Sequence, residues 1–234
     1  MAYAGTMGHR RRRGGGLSGR LVGISIALVA AGVAVAPIAY MLWPAPKAIS
    51  LDAPSLPINV GGVAFNVPPA AIRFKVQRRP GAQVRVDLSF VWPSLTPPDL
   101  SIKPLPTDTP EVTDRLFVTI AASDSTLPPL ERFKVIYPRY LDAAPVVGTD
   151  GLSTQVFRDG TAYQGEDLIH DPLRPEQFLL RCTRITSLTP PMCLHERRIG
   201  GADITVRFPR HWLLDWRTVS EGIERLIAGF KPQV

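Results

Sequence analysis

The longest apolar run in the chain extends from Leu21 to Trp43 and contains no charged side chain. A helix rises about 1.5 Å per residue and the hydrocarbon core of a bilayer is about 30 Å thick, so a run of this length can cross it. Tyr40 and Trp43 stand at its end, where aromatic rings favour the headgroup region. The pattern predicts a transmembrane helix over Leu21–Trp43 that anchors the protein in a membrane.

Basic residues flank this run mainly on its N-terminal side. Five arginines, Arg10–Arg13 and Arg20, precede it, and the next basic residue after it is Lys47. Because positive charge collects on the cytoplasmic side, the asymmetry predicts a cytoplasmic N-terminus and a C-terminal domain outside the inner membrane. A cleaved signal peptide is the alternative, since Ala34-Val35-Ala36 has the required small residues.

Small residues recur every fourth position within the apolar run, at Gly23, Ala27 and Ala31. Such a stripe lets two helix backbones approach closely, which favours a homo-oligomer through the transmembrane helix. The alternative is that glycine and alanine are simply common in membrane helices.

Strand patterns dominate the rest of the chain. Apolar and polar residues alternate over Gln83–Trp92 and over Arg115–Ala121, which indicates half-buried strands. Glycine-containing turns predict hairpins, and Ala70–Val76 carries a further alternation. The predicted hairpins join Leu56–Val60 to Val63–Val67 through Gly61-Gly62, and Gly151–Arg158 to Thr161–Tyr163 through Asp159-Gly160. Further strands are predicted at Gln177–Arg184, at Met192–Ile199 and around Ile204–Phe208.

Helical spacing occurs at the end of the chain, where His211–Phe230 places its large apolar residues three and four positions apart. A shorter helix is predicted over Pro129–Tyr137. The predicted fold class is α+β: an N-terminal transmembrane helix, then one mostly antiparallel β-sheet domain packed by a C-terminal amphipathic helix. The predicted divisions are 1–20, a basic disordered cytoplasmic tail; 21–43, the membrane helix; 44–57, a proline-rich tether; and 58–234, the periplasmic domain.

The net charge of +7 does not indicate a nucleic-acid-binding protein. The first 43 residues hold 5 of the 27 basic residues and none of the 20 acidic ones, which leaves 22 basic and 20 acidic residues beyond them. A domain with nearly balanced charge has no large field to attract a phosphate backbone. We therefore expect no nucleic-acid partner.

The chain has two cysteines, Cys182 and Cys193, on the two neighbouring strands predicted above. In an oxidising compartment a cysteine pair that closes a short loop is typical of a structural disulfide. The alternative, a reactive thiol, needs surroundings that lower its pKa. We expect a cross-strand disulfide.

No motif for nucleophilic catalysis or phosphate binding is present, so no catalytic residue and no cofactor is predicted. The densest polar cluster contains Glu166, Asp167, His170 and Asp171. Such a group could bind a divalent cation or transfer protons, although a solvated acidic loop before Pro172 is the favoured interpretation. Metal binding there is a weak hypothesis.

Arginines accumulate on the last three predicted strands. Arg181, Arg197 and Arg207 could form an anion-binding face for a carboxylate-rich partner. The alternative is that acidic residues on neighbouring strands, such as Glu196 and Asp203, neutralise them.

Three stretches resemble a known group together: Ile58–Pro93 with GGVAFNVPPAAIRF and RVDLSFVWP, Leu116–Tyr140 with LFVTI and ERFKVIYPRY, and Cys182–Phe230 with CLHER and ITVRFPRHWLLDW. They resemble an uncharacterised group of single-pass, membrane-anchored proteins of alphaproteobacterial type. The resemblance covers about half of the chain. It implies a bacterial inner membrane with the domain in the periplasm, and it carries no activity and no catalytic residues.

These observations predict a non-enzymatic, membrane-anchored envelope protein that docks or scaffolds a membrane or periplasmic partner. The extended proline-rich loop Pro93–Pro110 is the predicted contact surface. Two alternatives stay open: a periplasmic enzyme or ligand-binding domain, assisted by a metal at the polar cluster, and an accessory subunit of a larger membrane complex.

Overall fold

The computed structural model describes residues 50–99, 114–142, 144–184 and 190–232, together with Ile24 and Val33. Ala48–Val234 forms one compact unit and Met1–Lys47 another. The secondary structure of the four described ranges belongs to the first of these units. The predicted divisions at residues 20, 43 and 57 stay predictions.

An antiparallel sheet dominates the domain. The described strands are β1 (Leu56–Val60), β2 (Val63–Val67), β3 (Gly81–Ala82), β4 (Arg85–Val91), β5 (Arg115–Ala122), β6 (Val146–Val147), β7 (Ser153–Val156), β8 (Glu166–His170), β9 (Leu179–Thr183), β10 (Met192–Ile199) and β11 (Ala202–Pro209). The large sheet has eight strands in the order β4-β5-β11-β10-β9-β8-β7-β6, and a small sheet has the order β2-β1-β3.

Helices cover parts of both faces of the large sheet. The described helices are α1 (Pro129–Val135), α2 (Trp216–Gly229) and the 3₁₀ turns Pro69–Ala71, Lys75–Gln77, Tyr137–Arg139 and Arg210–Asp215. The sheet face on which α2 packs, called the α2 face here, carries the main core. Leu88, Val118 and Val206 are direct cross-strand partners on it and are fully buried beneath α2. This packing confirms the predicted arrangement of sheet and C-terminal helix.

A smaller core lies on the opposite face, where α1 and the turn after it pack over β8 and β9. Tyr137, Phe157, Leu168 and Leu179 are buried in it. An ion pair joins α1 to β10, since Arg132 Nη2 lies 3.0 Å from Glu196 Oε1. Over β4, β5 and β11 this face carries buried polar side chains on β4 and half-buried or exposed side chains on β5 and β11.

The predicted disulfide is confirmed. Cys182 and Cys193 are direct partners across β9 and β10, and their sulfur atoms are bonded at 2.03 Å. Both residues are fully buried beside Phe208, the neighbour of Cys193 on β11. The bridge therefore belongs to the main core on the α2 face.

The predicted fold class is wrong in its first element. In the described ranges no helix is both long and apolar enough to cross a bilayer. The physical reason is length, since α2 has 14 residues and spans about 21 Å against a hydrocarbon core of about 30 Å. The predicted span Leu21–Trp43 lies outside the described residues apart from Ile24 and Val33.

The predicted localisation is corrected with the fold class. A single-pass position in the bacterial inner membrane, with a cytoplasmic N-terminus and a periplasmic domain, was inferred from the same transmembrane helix. Because no described helix can cross a membrane, the single-pass position in the inner membrane is wrong.

Two local predictions also fail. Ala70–Val76 is not a strand, because 3₁₀ turns (Pro69–Ala71 and Lys75–Gln77) take up both of its ends and Ile72 between them makes an isolated bridge to Leu88. Thr161–Tyr163 forms a turn instead of a strand. The ring of Tyr163 packs against Tyr137 at a centroid distance of 5.2 Å and so joins the smaller core.

Candidate functional site

The predicted polar cluster does not gather at one point, because Glu166–His170 is a strand whose side chains alternate between the two faces. Glu166 Oε2 lies 2.9 Å from Arg181 Nη1. Asp167 is buried on the other face, 3.1 Å from Arg184 Nε and 2.6 Å from Arg210 Nη2. Both carboxylates are therefore engaged in ion pairs.

The other two members of the cluster are also engaged separately. The ring of His170 packs edge-on against Phe133 at 4.8 Å, and burial lowers the pKa of this histidine. Asp171 Oδ1 accepts a hydrogen bond from the backbone N–H of Leu173 at 2.9 Å, which caps the following turn. Within the described residues no group of three or more His, Cys, Asp or Glu side chains could hold a metal ion.

The three predicted anion-binding arginines lie in different surroundings. Arg181 is held between Glu166 and Glu196 under the ring of Tyr163, with its guanidinium 5.2 Å from the ring centroid. Arg197 points to the α2 face, where its Nη1 donates to Glu224 at 2.8 Å. Arg207 is exposed on the opposite face, and no ion pair to it is found within the described residues.

Arg207 belongs to a part of the sheet that we call the open face: Asp87, Ser89, Phe117, Thr119, Thr205 and Arg207 on β4, β5 and β11, of which Asp87 and Ser89 are buried. These residues form two adjacent cross-strand rows on the side opposite α2. Phe117, Thr119 and Thr205 are half-buried. The neighbouring half of the same face is covered by α1. The open face therefore presents one aromatic ring among polar groups.

Arginines surround this aromatic ring. The guanidinium of Arg73 lies over Phe117 at 4.9 Å from the ring centroid, a cation–π arrangement. Arg207 is the direct cross-strand partner of Phe117, and Arg115 is two residues before it on the same strand and face. One guanidinium therefore stacks on this half-buried ring, and two further arginines occupy neighbouring positions on the sheet.

A buried carboxylate fixes the border of the open face. Asp87 accepts hydrogen bonds from Arg85 Nη2 at 2.7 Å, Thr119 Oγ1 at 2.8 Å and Gln77 Nε2 at 3.0 Å. The Gln77 amide oxygen accepts in return from the Asp87 backbone N–H at 3.0 Å. Burial opposes ionisation of Asp87, but these hydrogen bonds outweigh it and its pKa lies below the ordinary value. Asp87 thus ties the segment before β4 to the sheet.

The proline-rich loop predicted as a contact surface is described as far as Asp99, and its remainder lies outside the described residues. Its first part packs on the domain itself. Trp92 stacks on Trp212 with centroids 5.0 Å apart, and Leu95 packs against the main core. This part of the loop is engaged within the fold.

Sequence reasoning missed the open face apart from Arg207. A signal for it exists in the run Arg73–Arg85, which has five basic residues and no acidic one. The approach of Arg73 to Phe117 could not be predicted, because it depends on how the irregular segment before β4 folds over the sheet.

No protein-family model matches the chain, and no curated protein matches it. The resemblance to an alphaproteobacterial group stays a prediction. Two solved structures are similar. One is Smlt3025, an immunity protein of the Stenotrophomonas maltophilia type IV secretion system, with a TM-score of 0.52, 12% identity, and coverage of 81% of this chain and 100% of that chain.

The other similar structure is the Neisseria meningitidis iron-regulated outer membrane lipoprotein FrpD, with a TM-score of 0.41 and 7% identity over 80% of this chain and 98% of that chain. The first similarity, at 12% identity, concerns architecture alone. The domain therefore shares its fold with a bacterial immunity protein.

Proposed function

We propose that this protein is a non-enzymatic binding protein of an extracytoplasmic compartment, and that its open face docks a partner protein. The observation that carries the proposal is the half-buried ring of Phe117 with the guanidinium of Arg73 stacked on it. Aromatic and arginine side chains contribute most to binding at the centres of protein interfaces. Thr119 and Thr205 beside the ring offer hydrogen-bonding hydroxyls.

The ionisable groups that could carry chemistry support a non-enzymatic role, because the fold uses them for internal contacts. Asp167 binds two arginines, and Glu166 binds another. His195 is fully buried in the main core, and its Nδ1 lies 3.2 Å from the carbonyl of Leu179.

The disulfide supports the proposed compartment. A bond between Cys182 and Cys193 persists where thiols are oxidised, as in the bacterial periplasm or outside the cell. Because both cysteines are buried in the core, the bond belongs to the folded structure in the compartment where the protein works.

Site-specific photocrosslinking in living cells tests the proposal. A photoreactive phenylalanine analogue is placed at Thr205 on the open face of the full chain, and at the exposed Thr218 on α2 as the matched control. We expect a discrete protein adduct from Thr205 and not from Thr218. The added substitution Phe117→Ala should lower the adduct yield about tenfold, the effect of losing a central interface residue.

Absence of an adduct at Thr205 would overturn the proposed function. The same adduct from both positions, or a yield at Thr205 that Phe117→Ala leaves unchanged, would also overturn it. Circular dichroism of each variant confirms that the domain is folded.

A further inference from the structure

We propose that the partner presents an acidic surface, rich in Asp and Glu side chains, to the open face and to the segment beside it. This inference rests on the proposed docking function and specifies the chemistry of the docked protein. The segment is Arg73–Arg85, called the basic arm here, which contains the 3₁₀ turn Lys75–Gln77 and strand β3.

The positive charge of the domain is concentrated in the basic arm. It holds Arg73, Lys75, Arg78, Arg79 and Arg85 and no acidic residue. Of the 22 basic and 20 acidic residues beyond residue 43, removing these five leaves 17 basic and 20 acidic residues. The rest of residues 44–234 is thus slightly negative, and the arm is a local positive field beside Phe117. Complementary charge steers a partner to such a field and orients it there.

Two of the five cations are held in place by contacts that leave their charge uncompensated: Arg73 lies over Phe117, and Arg78 donates to the carbonyl of Ile72. Arg85 is already paired with Asp87. A guanidinium fixed in advance loses little entropy when it binds a carboxylate, and its planar fork suits two oxygens at once. Lys75 and Arg79 are exposed, and the described residues include no ion-pair partner for either.

Apolar side chains lie among these charges. Phe74 is 50% exposed, Val76 78% and Val84 79%. Large side chains left this accessible within one short segment indicate a surface that another molecule covers. Their position between cations fits an acidic protein surface that also carries apolar groups.

A protein partner is favoured over an anionic lipid surface by the shape of this site. The guanidinium of Arg73 is held over the ring of Phe117, and Arg207 is the direct cross-strand partner of that residue on β11. Lipid headgroups need only a mobile cluster of positive charge. A guanidinium held over one ring of a rigid sheet suits a partner with carboxylates in fixed positions.

Peptide selection on the full-length protein tests the inference. Short random peptides displayed on phage are selected against the wild type and against Lys75→Glu/Arg207→Glu. The matched control is Arg217→Glu/Lys231→Glu, which reverses one arginine and one lysine that are exposed on α2 and just after it. Vesicles containing phosphatidylglycerol provide a separate arm for lipid binding.

We expect the wild type and the control to select peptides enriched in Asp and Glu together with apolar residues. The selected peptides should bind Lys75→Glu/Arg207→Glu about tenfold more weakly or worse, because two attractive charges become repulsive. Binding to the wild type should also weaken as salt is added.

Selection of peptides without acidic enrichment, or equal binding by the two double variants, would overturn the inference. Charge-dependent binding to the vesicles without selection of acidic peptides would overturn it in favour of lipid. The Thr205 photoadduct separates the two proposals. If the adduct forms undiminished with Lys75→Glu/Arg207→Glu, docking stands and the acidic partner is wrong; if it never forms, the docking function itself is wrong.

Discussion

Gly222 of α2 lies directly against the ring of Trp92: a Cβ at Gly222 would approach Trp92 Cζ3 to 2.7 Å. The ring cannot retreat freely, because it stacks on Trp212 at 5.0 Å. We expect Gly222→Ala to lower the free energy of unfolding by about 1–2 kcal/mol, since overpacking outweighs the gain in helix propensity. Denaturant titration measures the change.

Gly229, at the end of the same helix, provides the control. A Cβ there would meet nothing within 4 Å, so Gly229→Ala should leave the stability unchanged or raise it. Equal losses from Gly222→Ala and Gly229→Ala would show that the contact with Trp92 is unimportant.

Gly61 makes a second close contact, in which two hairpin turns meet backbone to backbone. A Cβ at Gly61 would overlap the carbonyl oxygen of Gly201, whereas a Cβ at Gly62 would meet nothing within 4 Å. Both Gly61 and Gly62 have positive φ, +58° and +82°, so alanine suffers backbone strain at either position. We expect Gly61→Ala to lower the melting temperature clearly more than Gly62→Ala does, and equal shifts would contradict the contact.

The strands and the disulfide were predictable because their signals are local. Gly61-Gly62 has the residues that a tight hairpin requires, and alternation over Gln83–Trp92 predicted β4. The strand Glu166–His170 was missed because it is rich in polar residues. Glu166 and Asp167 are acceptable in a sheet only because Arg181, Arg184 and Arg210 pair with them, and those partners come from other elements.

The open face could be predicted only in part. Arg207 was identified from its place on a strand, but Arg181 and Arg197 were grouped with it although they have acidic neighbours. Arg181 is neutralised by Glu166 and Glu196 on the neighbouring strands, whereas Arg197 is neutralised by Glu224 of α2. The second pairing depends on how the helix packs on the sheet, which strand patterns do not specify. The stacking of Arg73 on Phe117 depends in the same way on tertiary packing.

His195 should make the stability of the domain depend on pH. Burial in the main core lowers its pKa to about 4, with a smaller effect in the same direction from Arg197 and opposing effects from the Leu179 carbonyl, Glu224 and Glu196. As the pH falls, His195 therefore binds its proton in the unfolded chain before it does so in the folded domain. Stability that is present above about pH 6.5 is lost as the pH falls toward 4, by up to about 3 kcal/mol.

The variant His195→Leu isolates this contribution. The difference in unfolding free energy between the wild type and His195→Leu should change over this range of pH, because other acid-sensitive groups are common to both proteins. The exposed His211 is the control, and His211→Leu should follow the wild type. A constant difference between the wild type and His195→Leu would contradict the role of His195.

Reduction of the disulfide should destabilise the domain. The bond between Cys182 and Cys193 closes a loop with a sequence separation of 11, for which loop-closure entropy gives about 2–3 kcal/mol. We expect Cys182→Ala/Cys193→Ala to unfold at a lower denaturant concentration, because its free energy of unfolding is reduced by this amount. The wild type should resist alkylation under denaturing conditions unless a reductant is added first, and ready alkylation without reductant would contradict an oxidised pair.

Asp87 should control the order of the basic arm. In Asp87→Asn the side chain is a neutral amide with one acceptor oxygen in place of two. It can no longer pair with the charge of Arg85 and also accept hydrogen bonds from Thr119 and Gln77. The segment before β4 then loses its attachment to the sheet. We expect a loss of about 1–2 kcal/mol in stability, in line with other charged hydrogen bonds, and faster cleavage by trypsin after Lys75 and Arg78.

The pKa of Asp87 lies below its ordinary value. The stability that the hydrogen bonds to its ionised carboxylate contribute is therefore present in the wild type at neutral pH. It disappears as the pH falls through that lowered pKa. Asp124→Asn is the control, since Asp124 is an exposed carboxylate that accepts from Thr126 and bonds no residue of the segment before β4 in the described ranges. It should leave cleavage after Lys75 and Arg78 at the wild-type rate. Cleavage in Asp87→Asn at that same rate would show that the arm is held by packing alone, and that Asp87 does not position the cations beside Phe117.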